Sequence, residues 1–207
     1  MKFFYFPYAC SLAAHVALEE IGQPFEAVLV DLRGGEQFNA AYRAINPSAR
    51  VPALQLDSGE VLSENLAILY WLAETHPGAG LWPEGSLEKT RALEWMSWLA
   101  SNVHFSGRLI WKGDQYANSP EAAEFLKTSQ RARYQELLAQ AEARFGDGPW
   151  VMGERYTVVD AHLLPFVRWP QVWKLDISAC PKLLAWHQRM IERPAVLRAL
   201  AREGQRP

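Results

Sequence analysis

The sequence predicts an α/β unit at the N-terminus followed by an all-α unit. Three observations carry that prediction: a strand–helix–strand pattern over residues 2–32, a hairpin pattern over residues 53–62, and no strand pattern beyond a Pro/Gly-rich break near residue 80. Lys2–Phe6 is a short buried strand, and Pro7-Tyr8-Ala9 turns the chain out of it. From Ser11, apolar residues at Leu12, Val16, Leu18 and Ile21 recur at helical spacing until Gly22 supplies a stop. Phe25–Leu32, with Val28, Leu29 and Val30, is a second strand reached through that crossover helix, so the two strands pair in parallel. A helical stretch over residues 36–44 precedes Asn46-Pro47 and Val51-Pro52, which break the chain. Ala53–Leu56 and Glu60–Leu62 then flank Asp57-Ser58-Gly59 as a hairpin, and Asn65–Thr75 is helical.

Pro77, Gly78, Gly80, Pro83 and Gly85 mark the clearest linker, which divides the chain into residues 1–78, a linker at 79–86, and residues 87–207. Leu87–Trp111 and Pro120–Phe145 are long helical patterns. Thr157-Val158-Val159-Asp160 reads as a capping box with Asp in the usual place of Glu. Cys180-Pro181 and Arg193-Pro194 open the last two helices, the first running to Glu192.

Hydrophobic residues make up 49% of the 207 and charged residues 21%, an ordinary globular balance. With a formal net charge of -2 and a pI of about 6.2, no global field draws nucleic acid or an anionic membrane. No apolar run is long enough to span a membrane, and Met1-Lys2 leads straight into a strand, so the expected compartment is the cytoplasm. Cys10 and Cys180 form no framework and are expected as free thiols. Five scattered histidines lack ligand spacing, so no metal is expected; His15 and His162 read as structural. All but Trp71 and Trp82 of the nine tryptophans lie beyond residue 90, which places a large apolar interface or pocket in the second half.

Four features fall where a thiol-binding site would need them. Cys10 sits between the first strand and the first helix, where free N–H groups and the helix dipole favour a thiolate; a lone cysteine is as commonly an inert buried thiol. Val51-Pro52 begins a strand, and a cis bond there would free the Val51 backbone to pair with an extended peptide. Ser63-Glu64-Asn65 opens a helix: a plain N-cap, or a clamp in which the helix start takes a carboxylate and Glu64 an ammonium. Ser97, Ser101 and His104 at i, i+4 and i+7 are either a solvated stripe with a satisfied histidine or donors to a sulfur or carboxylate across the domain interface.

Together these segments resemble a beta-class bacterial glutathione S-transferase over nearly the whole chain. MKFFYFPYACSLAAHVALEEIG, AINPSARVPALQLDSGEVLSENLAILYWLA and GERYTVVDAHLLP carry the likeness. The resemblance implies a thioredoxin-like N-terminal domain of order βαβ-α-ββα, an all-helical C-terminal domain, and glutathione as co-substrate. It implies that Cys10 meets the glutathione sulfur, that Val51 beside a cis Pro52 pairs with the cysteinyl part, and that Glu64 and Asn65 bind the γ-glutamyl end. His104 would approach the thiol with help from Ser101, while Ser11 offers a hydroxyl and Tyr5 is a runner-up phenol inside the first strand. The departures are Asn65 for the family's serine, Ser97 for an asparagine, Phe105 for a lysine, and no lysine after the second strand, where Arg33 or Arg50 would hold the glycyl carboxylate.

If the Cys10 pKa falls from about 8.5 to roughly 6.5, the thiolate at neutral pH rises about 25-fold and its nucleophilicity drops about 8-fold. The small net gain and the better leaving group favour thiol–disulfide exchange. The expected function is conjugation of glutathione to small hydrophobic electrophiles, glutathione-dependent disulfide exchange, or both, by a homodimer. Trp111 is expected to wall the acceptor pocket. The alternative is a non-catalytic binding or scaffold protein on the same fold.

Overall fold

The computed structural model describes residues 1–207. Strand β1 (Lys2–Tyr5) pairs in parallel with β2 (Glu26–Leu29), Lys2 opposite Glu26, because helix α1 (Leu12–Ile21) carries the chain back between them. Gly22 closes α1 at φ 73, a left-handed position, and its N–H donates to the Leu18 carbonyl. On the other side of β1 lie β3 (Ala53–Gln55) and then β4 (Val61–Ser63), both antiparallel to their neighbours, giving the order β2-β1-β3-β4. Strand β2 is shorter than expected because the Asp31 carboxylate accepts from the N–H groups of Arg33 and Gly34 and turns the chain. The helix expected at 36–44 divides at Asn39, whose backbone is extended, into a single turn Glu36–Phe38 and α2 (Ala40–Ile45). Helix α3 (Asn65–Thr75) completes the first half with the expected bounds.

The second half is helical. Helices α4 (Ser86–Trp98) and α5 (Phe105–Lys112) form one rod, joined by a wider π-helical segment at Leu99–His104. Helices α6 (Pro120–Arg144), α7 (Val158–Trp173), α8 (Pro181–Glu192) and α9 (Pro194–Arg202) follow. The capping box forms: the Thr157 hydroxyl accepts from the Val159 N–H at 3.2 Å, and the Asp160 carboxylate accepts from the Thr157 N–H at 2.9 Å. Asp160 is fully buried and does more than cap. It also accepts from the Val151 N–H and from the Trp186 indole, each at 2.9 Å, so one carboxylate joins α7, α8 and the loop before them.

One hydrophobic cluster of 43 buried residues runs through both halves, so the two units share a core. Residues 79–86 are accordingly not slack: Leu81 is buried in that cluster and its carbonyl accepts from the Val158 N–H. Helix α1 lies at the centre, against α3 on one side and α7 and α9 on the other. His15 on α1 meets Glu203, just beyond α9, at 2.8 Å with both side chains fully buried, which bears out its structural reading. Gln205 donates to the other Glu203 oxygen at 2.6 Å.

Replacing Asp160 with Ala leaves three buried N–H donors without an acceptor. The expected loss is about 3 kcal/mol or more of folding stability, read from a urea unfolding curve. A change below about 1 kcal/mol would show that the carboxylate is not a structural hub.

Candidate active site

A cleft of about 820 Å³ opens where the β1–α1 turn, the loop before β3 and the start of α3 face α5 and α7. The turn after β1 is held in place by Tyr8, whose φ is 62 and whose carbonyl accepts from the Trp169 indole of α7 at 2.8 Å. Cys10 follows it and lines the cleft at 8% exposure, with its thiol donating to the Val51 carbonyl at 3.8 Å. Burial pushes this thiol up to about 12, and Glu64 adds to the rise, against the lowering by the local backbone N–H, Arg108 and Arg50. The low pKa expected from the sequence is therefore corrected. Cys10 is where the helix start places it, but removing its sulfur from water outweighs the dipole.

Ser11 is corrected as well. Its hydroxyl is fully buried, accepts from the Phe6 N–H at 3.3 Å and donates to the Phe6 carbonyl at 3.2 Å, so it ties the turn together instead of facing the cleft. The Tyr5 phenol packs elsewhere, as expected, donating to the Arg202 carbonyl.

Val51-Pro52 is cis, and both residues line the cleft. No backbone acceptor takes the Val51 N–H. Glu64 also lines the cleft, at φ 70 and ψ 121, a backbone region that non-glycine residues rarely occupy. Its side chain makes no capping bond, so the plain N-cap reading fails and the carboxylate stays available beside the N-terminus of α3. Asn65 is buried and its amide donates to the Cys10 carbonyl at 2.6 Å, while its Oδ1 has no partner. It braces the cysteine turn and also lines the cleft. Arg33 and Arg50 both line the cleft.

From the helical half, His104 lines the cleft with its ring 5.6 Å from Phe166 and 5.8 Å from Trp169. Burial lowers its pKa to about 4, with Arg108 and Arg50 adding to the effect, so it is neutral at pH 7. His162 also lines the cleft; burial takes it to about 3, and His104, protonated below about pH 4, works the same way.

Ser97 and Ser101 do not line the cleft. The Ser101 hydroxyl instead donates to the Ser97 carbonyl at 2.8 Å on an exposed face. The i, i+4, i+7 stripe assumed an ordinary α-helical period. The π-helical segment shifts the phase, so Ala100 and His104 face the cleft together. Trp111 walls it as expected, and Tyr8, Arg108, Lys112 and Trp169 join it, none of which local sequence patterns singled out.

Residues 9–75 match the glutathione S-transferase N-terminal domain and residues 108–194 match the glutathione S-transferase C-terminal domain. A relative from Escherichia coli O157:H7, glutathione S-transferase GstA, is 37% identical over 99% of each chain. This chain belongs to the glutathione S-transferase family. Among solved structures, a glutathione transferase homolog from Sulfitobacter with bound glutathione superposes with a TM-score of 0.93 at 29% identity, covering 99% of this chain and 98% of that one. The beta-class glutathione S-transferase of Sphingomonas chungbukensis gives 0.87 at 37% identity over 99% of each. The match is to the bacterial, beta-class-like branch, as the sequence resemblance implied.

In this glutathione S-transferase without ligand, Cys10 alkylation follows its thiolate fraction, which at a pKa of about 12 is on the order of 10⁻⁵ at pH 7. Labelling by iodoacetamide should therefore climb about tenfold per pH unit from pH 7 to 9.5 with no plateau. A plateau near pH 7 would restore the low pKa expected from the sequence.

Proposed function

We propose that this chain is a glutathione transferase that joins the glutathione sulfur to small hydrophobic electrophiles, with Cys10 acting in its protonated form. One observation carries the reading. The Cys10 thiol, the free Val51 N–H, and Glu64 beside the α3 N-terminus line a single cleft, and between them they supply the groups that a γ-glutamyl-cysteinyl peptide requires. In this pose the α3 N–H groups take the γ-glutamyl carboxylate and Glu64 takes the ammonium. Val51 pairs with the cysteinyl backbone, and Arg33 or Arg50 takes the glycyl carboxylate. The bound glutathione of the Sulfitobacter homolog supports it.

A thiol that resists ionisation is a donor. Cys10 can turn its S–H from the Val51 carbonyl to a glutathione thiolate and stabilise the negative sulfur. Neutral His104 offers an acceptor for the proton that leaves glutathione. The thiolate then attacks the electrophilic carbon, a C–S bond forms, and the leaving group departs with its bonding pair. We also propose a homodimer, supported by the exposed apolar side chains of Tyr70, Leu87 and Leu93 on α3 and α4. A cytoplasmic location is supported by two free cysteines; no helix is long and apolar enough to cross a membrane.

Glu64→Ala should raise the KM for glutathione at least about tenfold and change kcat far less, since the γ-glutamyl end is held alike in ground and transition states. An unchanged KM would remove Glu64 from the site.

Cys10→Ala should lower conjugation of 1-chloro-2,4-dinitrobenzene about tenfold and move the acid limb of the pH–kcat profile upward, because bound glutathione loses a donor. Loss confined to disulfide exchange would make the enzyme a thiol transferase. No retention on immobilised glutathione and no turnover would leave the scaffold reading.

A further inference from the structure

Four cationic side chains line the cleft, Arg33, Arg50, Arg108 and Lys112, against one carboxylate, Glu64, in a chain whose formal net charge is -2. None of the four is in an ion pair with any carboxylate of the protein. Glutathione brings two carboxylates and one ammonium. In the pose above, Glu64, the α3 N-terminus and one of Arg33 or Arg50 answer all three. Arg108 and Lys112 stand on the opposite wall, on α5, with no anion to meet.

Arg108 is held in place. Its Nε donates to the Tyr116 hydroxyl, and its guanidinium carbon lies 5.7 Å from the centre of that ring. Tyr116 in turn packs edge-on against Phe105 at 6.3 Å. The side chain is half-buried, and the two outer nitrogens of the guanidinium make no hydrogen bond within the protein. With its Nε tied to Tyr116 and no counter-ion in the protein, the guanidinium keeps its two outer nitrogens free to take an anion in the planar, two-pronged fashion that arginine favours. Arg108 also sits close to the chemistry: after burial, it is among the charges that act on both Cys10 and His104. Trp111 on α5, with Trp169 and Val172 on α7, gives the same side of the cleft an apolar lining.

We infer that this wall selects an aromatic electrophile bearing an anionic group, a carboxylate or sulfonate, with the ring against Trp111 and Trp169 and the anion on the outer nitrogens of Arg108. Lys112, exposed at the rim, draws such a substrate in without fixing it. The inference rests on the proposed glutathione chemistry and adds the class of the second substrate.

The test compares two electrophiles that react by the same aromatic substitution, 1-chloro-2,4-dinitrobenzene and 4-chloro-3,5-dinitrobenzoate. Each kcat/KM is divided by the uncatalysed rate with glutathione. The wild-type enzyme should favour the benzoate, and Arg108→Met, which keeps an apolar stem, should lower the benzoate-to-neutral ratio about tenfold. Arg108→Lys should recover only part of the ratio, because an ammonium lacks the planar fork. Raising the salt concentration should weaken the preference in the wild type and not in Arg108→Met. An unchanged ratio in Arg108→Met, with both rates lowered together, would make Arg108 a general aid to the sulfur and overturn the inference. An unchanged ratio with a raised KM for glutathione would assign Arg108 to the tripeptide and overturn it equally. Binding of the two finished glutathione conjugates, followed by tryptophan fluorescence, separates the two levels of the claim. If neither conjugate binds, the glutathione reading itself falls. If both bind with the same affinity in wild type and in Arg108→Met, only the substrate class falls.

Discussion

Helix α1 has no solvent face: from Leu12 to Leu18 no side chain exceeds 1% exposure, so one layer must cover it from the sheet side and another from the helical side. A helix buried all round cannot be stabilised by a lone α/β unit, whose remaining elements reach only one of its faces. That requirement explains why the two halves share one core, why Leu81 is buried between them, and why α7 and α9 close over α1. It also fixes the site. The cleft lies at the N-terminal end of α1, where the covering layers part and leave the β1–α1 turn between them.

The same burial decides the chemistry of Cys10. A helix start lowers a thiol pKa through an interaction worth up to about 2 kcal/mol. The rise from 9.0 to about 12 is three units in the other direction, on the order of 4 kcal/mol. Desolvation wins, and the thiol keeps its proton, in a cleft whose two histidines, His104 and His162, are also uncharged at pH 7. Position in the sequence told where the sulfur would be, but its depth depends on Asn65, Val51 and Trp169, which arrive from distant parts of the chain.

What could be read from the residues was what local physics controls. The bounds of α3, the Gly22 stop, the Thr157–Asp160 box and the proline starts of α8 and α9 each depend on a few adjacent residues, and each formed. The Ser101 stripe failed because a π-helical segment has no clear local signature and a shift in phase moves every side chain after it. Ser11 failed because a hydroxyl at a helix start has two uses, facing a ligand or bonding the preceding strand, and only the fold chooses. Arg108 went unnoticed because a single arginine on an exposed-looking helix means nothing until its lack of a counter-ion is visible.

The His15–Glu203 pair spans 188 residues of sequence, and Arg198 reaches back to Glu19 over 179. On the ribosome, the first half emerges with α1 complete but with a buried histidine that still lacks its carboxylate. The helix that follows the thiol therefore cannot settle into its final surroundings until α9 and Glu203 have been made. For this enzyme, maturation of the site waits on α9, and a nascent chain must keep an apolar helix in waiting until that helix is made.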